Sequence, residues 1–109
     1  MAKQIRINKN IKKLVLAFGD RVKKQGIPVS KLVVFGSYAK GLARKESDVD
    51  VCVVSPKFGK DTIEELQFLS KQSRYIDSRI EPYPVSPKEY RTVPSSLIFE
   101  IKKFGQEVK

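Results

Sequence analysis

Apolar residues recur at helical spacing near the start of the chain. Ile11, Leu14, Val15, Phe18 and Val22 fall three or four apart, while Lys9, Lys12, Lys13, Lys23 and Lys24 lie mostly on the other side. This pattern predicts an amphipathic helix over residues 8–25, stopped by Gly26 with Pro28 beyond. The periodicity then changes. Residues 31–35, Lys-Leu-Val-Val-Phe, form a short run rich in β-branched side chains and bounded by Gly36, which predicts a buried strand. Residues 37–42 predict one or two helical turns ending near Gly41, and residues 43–47 a charged loop. Residues 48–54, Asp-Val-Asp-Val-Cys-Val-Val, predict a second strand with Pro56 after it.

Residues 61–71 predict a helix whose apolar face is drawn from Ile63, Leu66, Phe68 and Leu69. Residues 74–81 predict a third strand closed by Pro82. Ser86-Pro87-Lys88-Glu89 supplies a Ser cap, Pro at the first helical position and an acid three residues after the cap, a strong helix start. Pro94 interrupts that helix. Ser95 or Ser96 caps a last one through Leu97, Ile98, Ile101 and Phe104, stopped by Gly105. The order is helix, strand, short helix, strand, helix, strand, helix, helix. With only about a dozen residues between them, the first two strands suit antiparallel pairing. The expected fold is α/β (α+β): a small mixed sheet with helices mainly on one face.

Composition narrows this further. The chain has 109 residues, within the roughly 100–200 of one domain, so residues 1–109 are expected to form a single domain. No run of about 18 apolar residues exists to span a membrane. The basic start also lacks the apolar stretch of a signal peptide. A cytoplasmic protein is expected. There is no histidine, which excludes histidine as general base, as zinc ligand and as partner of a Ser or Cys nucleophile within this chain. The single cysteine, Cys52, excludes an internal disulfide and a multi-cysteine metal site, and a packed core thiol is expected there. Chemistry must rest on carboxylates, Lys, Arg, hydroxyls or backbone. The formal charge is +10. Residues 1–31 hold nine Lys or Arg against Asp20 alone. Such a face either attracts phosphates or acidic proteins, or is simply solvated.

Asp48 and Asp50 carry the first chemical signal. Side chains two apart on a strand share a face, so both carboxylates point the same way at the start of a strand that reads as buried. Like charges so placed repel unless a cation lies between or beside them. An all-oxygen donor set suits Mg²⁺ or Mn²⁺. Gly36 and Ser37 carry the second signal. A strand that ends in Gly-Ser before a short helix presents backbone N–H groups and a hydroxyl to an anion. Gly36 and Gly41 have the spacing of a P-loop, but Leu42 and Ala43 stand where that motif needs Lys and Ser or Thr. A third carboxylate is expected from the third strand. Asp77 and Glu81 both qualify, but they lie about 13 Å apart at roughly 3.3 Å per residue, so only one joins the cluster.

Gly36-Ser37, ten intervening residues, then Asp48-Val49-Asp50 and a later acid on a strand resembles the signature of the DNA polymerase β superfamily. More narrowly, the chain is similar to its minimal nucleotidyltransferases (MNT), and the resemblance covers the whole chain in element order. It implies a polymerase-β-like nucleotidyltransferase fold. It also implies two metal ions held by Asp48, Asp50 and a third carboxylate matched best by Asp77, with Glu81 the alternative. Gly36 and Ser37 would hold the triphosphate of ATP or another nucleoside triphosphate, and a hydroxyl would attack its α-phosphorus with pyrophosphate leaving. Lys40, Arg44 and Lys45, between the two motifs, either contact the triphosphate or are solvated. The resemblance further implies a HEPN-domain partner protein in a toxin–antitoxin pair, with AMP passed to a hydroxyl. A homo-oligomer would also bring a second surface to the acceptor, and nucleic acid is a less favoured partner. The competing expectation is a non-catalytic binding module that neutralises a partner or holds nucleic acid through the basic first helix. Mg²⁺-dependent ATP binding separates the two.

Overall fold

The computed structural model describes residues 7–44, 46–92 and 95–109. Lys45, among the expected loop cations, and Pro94, the expected break between the last two helices, lie outside them. Asn8 caps the first helix, α1 (Lys9–Lys24), by accepting from the Asn10 N–H at 2.7 Å. The helix buries Ile11, Val15, Phe18 and Val22, four of the five apolar positions that the periodicity marks, and half-buries Leu14. Gly19 faces β1 (Lys31–Phe35) so closely that a β-carbon there would run into the Leu32 side chain. A short helix, α2 (Ser37–Lys40), then turns the chain into β2 (Val49–Val54).

The second long helix, α3 (Thr62–Arg74), is capped by Asp61, whose Oδ1 accepts from the Glu64 N–H at 3.1 Å. It leads to β3 (Ile80–Val85), α4 (Pro87–Thr92), α5 (Ser96–Phe104) and a two-residue strand, β4 (Gln106–Glu107). The Ser86–Glu89 capping box forms in both directions, at 3.0 and 3.1 Å, and Ser95 caps α5. The sheet runs β3-β2-β1-β4. β1 is antiparallel to β2 and β4, and β2 is parallel to β3, so the sheet is mixed as expected.

Alternation splits the core between the two faces. Leu32, Val34, Val49, Val51, Val53 and Ile80 meet the apolar stripe of α1 and Leu69 of α3. Val33, Phe35, Cys52, Val54 and Val85 meet Ile98 and Ile101 of α5. The two longest helices thus share one face, and α5 covers part of the other. Among the described residues no helix is long and apolar enough to cross a membrane.

Three local expectations need correction. The third strand does not span 74–81. Arg74 ends α3, and the Ile76 and Asp77 N–H groups still donate to Ser73 O at 2.9 Å, so the chain leaves the helix through a turn and pairs only from Ile80. Pro82 and Pro84 lie inside the strand rather than closing it. The carbonyls of Arg79 and Val85 accept from Val49 and Ser55 of the neighbouring strand region. Odd positions therefore face β2, and both prolines turn their donor-less nitrogens to the free edge, where no ladder bond is lost. On α3, Ile63 is 72% exposed and Leu66 41% exposed, and the helix buries Leu69 instead.

Candidate active site

The site is built where β1 ends and β2 and β3 begin. Gly36 leaves β1 with φ 72° and ψ −147°, a conformation open essentially to glycine alone. A β-carbon at this position would overlap the Asp50 carboxylate. The backbone of the Gly36-Ser37 turn therefore lies directly over Asp50, and the two sequence signals ten residues apart become one place. Ser37 starts α2 and is half-buried. Lys40 ends α2, its N–H donating to Gly36 O at 3.1 Å, and its ammonium reaches Glu100 of α5 at 2.6 Å. Arg44 is exposed. Its N–H donates to Ser47 Oγ at 2.7 Å and its carbonyl accepts from Tyr38 Oη at 3.3 Å, which closes the loop before the aspartates.

Asp48 is exposed just ahead of β2, and Asp50 is half-buried within it. Asp50 lies on the same sheet face as Cys52 and Val54, the face that α5 covers. Parallel pairing places Glu81 of β3 in register with Asp50 and Tyr83 with Cys52. The Tyr83 hydroxyl donates to Asp50 Oδ1 at 3.4 Å. Burial pushes the Asp50 carboxyl up, the Tyr83 hydrogen bond opposes this, and the charges of Asp48, Glu81 and Glu100 push it up further. Burial also raises the Tyr83 phenol, so it remains a donor at neutral pH. Burial drives the Cys52 thiol to about 12, as suits a packed core cysteine rather than a nucleophile.

Asp77 is not drawn into this group. It sits in the turn ahead of β3, where Oδ1 accepts from the Arg79 N–H at 2.9 Å and from Nε at 3.0 Å, and Oδ2 accepts from Nη2 at 2.9 Å. The guanidinium holds the Asp77 carboxyl below its usual range. Arg79 Nη1 reaches Tyr38 Oη at 3.5 Å, so the pair braces the turn against α2. Two participants carried little sequence signal. Tyr83 follows Glu81 by two and would have been found with the right strand register. Glu100 belongs to a helix remote in sequence, and nothing local marks it.

The donor set around Asp50 is all oxygen, with an excess of negative charge on a half-buried carboxylate. That chemistry fits a hard divalent cation. Among the described residues, no three His, Cys, Asp or Glu side chains form a ready-made metal cage. A hollow of about 840 Å³ between α4 and α5, lined by Arg91, Thr92, Ser95, Phe99 and Lys102 among others, includes none of the carboxylates.

Residues 11–105 match the family model described as nucleotidyltransferase domain. A Methanocaldococcus jannaschii protein, provisionally named a protein adenylyltransferase, is 37% identical over 82 residues, covering 73% of this chain and 79% of that protein. A provisionally named nucleotidyltransferase from Sulfolobus solfataricus superposes with a TM-score of 0.65 at 18% identity, over 90% of this chain and 78% of the other. The Shewanella oneidensis complex of a tri-AMPylated HEPN toxin with its MNT antitoxin gives a TM-score of 0.54 at 16% identity, over 93% and 71% of the two chains. These solved structures show a shared polymerase-β-like nucleotidyltransferase fold.

Proposed function

The chain belongs to the nucleotidyltransferase domain family, and from that premise we propose that it moves AMP from ATP onto a hydroxyl of a protein, with Asp48, Asp50 and Glu81 as the carboxylates of the site. The observation that carries this reading is the register of β2 with β3. It pairs Glu81 with Asp50, which lies under the Gly36 turn, while Asp77 is committed to Arg79. In this reading Glu81, the alternative that the sequence left open, takes the third position in place of Asp77.

Asp48, Asp50 and Glu81 would hold Mg²⁺ or Mn²⁺, with Tyr83 fixing the orientation of Asp50. When bound, the divalent cation supplies positive charge to the entering and leaving oxygens of the phosphoryl transfer. The Gly36-Ser37 turn would receive the triphosphate through its backbone N–H groups and the Ser37 hydroxyl. Lys40 and Arg44 lie on either side of Gly41 and add cationic contacts to the phosphates. The acceptor oxygen bonds to the α-phosphorus, the bond to pyrophosphate breaks, and the hydroxyl proton passes to a carboxylate of the cluster.

The whole chain acts in this reading as one minimal domain, with the acceptor surface supplied by a partner. A HEPN-domain protein fits, with this chain as its antitoxin. Two likenesses support that assignment: the relative provisionally named as a protein adenylyltransferase and the fold shared with an MNT antitoxin bound to an AMPylated HEPN toxin.

The test is transfer of label from α-labelled ATP, with Mg²⁺, to a HEPN-domain protein offered as the acceptor. Wild type and Asp77→Asn label it, whereas Asp50→Asn and Glu81→Gln do not. Label that survives Glu81→Gln but disappears with Asp77→Asn returns the third position to Asp77. An absence of Mg²⁺-dependent ATP binding by wild type leaves the non-catalytic binding module in its place.

A further inference from the structure

Lys40 and Glu100 lie 60 positions apart in sequence and make an ion pair of 2.6 Å between α2 and α5, with side chains 33% and 36% exposed. The Lys40 ammonium also lies 4.8 Å from the centre of the Phe104 ring, one turn further along α5. One helix therefore presents both a carboxylate and a ring face to this cation. The backbone ties Lys40 to the Gly36 turn through its N–H bond to Gly36 O at 3.1 Å. After α5, Gln106 Nε2 donates to Ala39 O at 3.3 Å, so α2 and the end of α5 are joined twice.

Glu100 also acts on the carboxylate cluster. It is one of three acids whose charge bears on Asp50, with Asp48 and Glu81. The acid that acts on Asp50 from α5 is therefore the same one that holds the Lys40 ammonium.

We propose that Glu100 is a positioning residue of the nucleotide site, holding the Lys40 ammonium at the rim until a triphosphate takes that ammonium over. This rests on the nucleotide reading above and deepens it. A triphosphate seated at the Gly36-Ser37 turn brings a dense negative charge toward Glu100, a like charge, and toward Lys40, an opposite one. A phosphate oxygen competes with Glu100 for the same ammonium, which is only partly buried and free to swing on its four-carbon stem. Glu100 then loses its counter-charge at the moment the nucleotide gains one. The pair therefore sets the nucleotide affinity and leaves the phosphoryl step itself alone.

The sign of the effect separates this from a plain clamp between two helices. Titration of the full chain with ATP and Mg²⁺ is followed by calorimetry, with thermal melts of each variant. Glu100→Gln lowers the ATP dissociation constant about two- to fivefold, the range expected when a partly exposed pair no longer has to be broken. Lys40→Met raises it about tenfold or more, as for a lost hydrogen bond to a charged group. In the Lys40→Met background, the gain from Glu100→Gln shrinks. If Glu100→Gln does not melt cooperatively, Glu100→Asp, which keeps the charge on a shorter arm, carries the same expectation.

Unchanged or weaker ATP binding by the folded Glu100 variant, with a lower melting temperature, identifies a clamp and overturns the proposal. An equal gain with and without Lys40 reduces Glu100 to simple repulsion and also overturns it. Absence of ATP binding by wild type at millimolar concentration removes the nucleotide reading and this inference together, whereas binding that Glu100→Gln fails to tighten removes this inference alone.

Discussion

Burial raises the Asp50 carboxyl, and the Tyr83 hydroxyl only partly offsets that. A carboxyl whose folded value lies above its unfolded value of about 3.9 favours folding in its protonated form. Its contribution is complete below the unfolded value and is lost as pH rises through the folded one. At neutral pH without divalent cations, the ionised Asp50 therefore destabilises the fold. Asp50→Asn should raise the melting temperature at pH 7 in chelator, and the gain should vanish near pH 3–4. Loss of stability at pH 7 would show that the ionised carboxylate holds the turn together. Gly36 works in the opposite direction. Its φ of 72° and the Asp50 carboxylate beneath it leave no room for a side chain. Gly36→Ala should cost about 1–3 kcal/mol from backbone strain alone and weaken ATP binding with it. A denaturant titration measures the first effect. An unchanged midpoint would mean that the turn relaxes freely.

At the level of elements, the turn from α3 into β3 decides which carboxylates meet. Asp77 caps that turn by accepting from the Arg79 N–H and binding its guanidinium, so β3 starts late and Glu81, not Asp77, lies in register with Asp50. The pair is partly exposed, with side chains 22% and 32% accessible, and such pairs contribute about 0.2–1 kcal/mol. Asp77→Ala should therefore lower stability by about that much at neutral pH. Because its folded value is depressed by Arg79, the wild-type advantage should disappear as pH falls through it. Parallel melts of wild type and variant from pH 7 to pH 2 test this. A variant gap that persists at the acid end would point to lost packing rather than charge.

For the molecule as a whole, the lysine-rich helix α1 and the Asp50 carboxylate fall on opposite faces of the sheet. Lys12, Lys13, Lys23 and Lys24 are exposed on α1, which packs against Leu32, Val34, Val51 and Val53. Asp50 points to the face that α5 covers. Interactions between exposed charges fade beyond a Debye length of about 8 Å at physiological salt. Changing all four lysines to Glu should sharply lower salt-dependent retention on a phosphocellulose column and leave ATP affinity within about twofold at that ionic strength. A large loss of ATP affinity would place α1 at the nucleotide after all.

Local periodicity carried most of the architecture. The α1 stripe, the runs at 31–35 and 48–54 (the latter paired from Val49) and the cap at Ser86 depend on neighbours within a turn or a pleat, and residue types alone carry them, whereas the choice of Ser95 over Ser96 as the last cap was made by the fold. The Gly-Ser and Asp-x-Asp motifs were legible for the same reason, since each is a local pattern of residue types, although Asp48 lies just ahead of β2 rather than within it. Which acid of the third strand lies across from Asp50 was not legible. It depends on where β3 begins to pair with β2, and that is fixed by how α3 ends and how the Asp77–Arg79 turn closes. A pair of prolines, which reads locally as a strand stop, is tolerated because β3 lies at an edge with both nitrogens turned outward. β4 is two residues long, too short to show a period. Glu100 reaches Lys40 only because α5 packs its Ile98 and Ile101 onto the sheet beside α2. Contacts of this kind are set by packing between elements distant in sequence, so the residue types could be listed from the chain, but their meeting was decided by the tertiary structure.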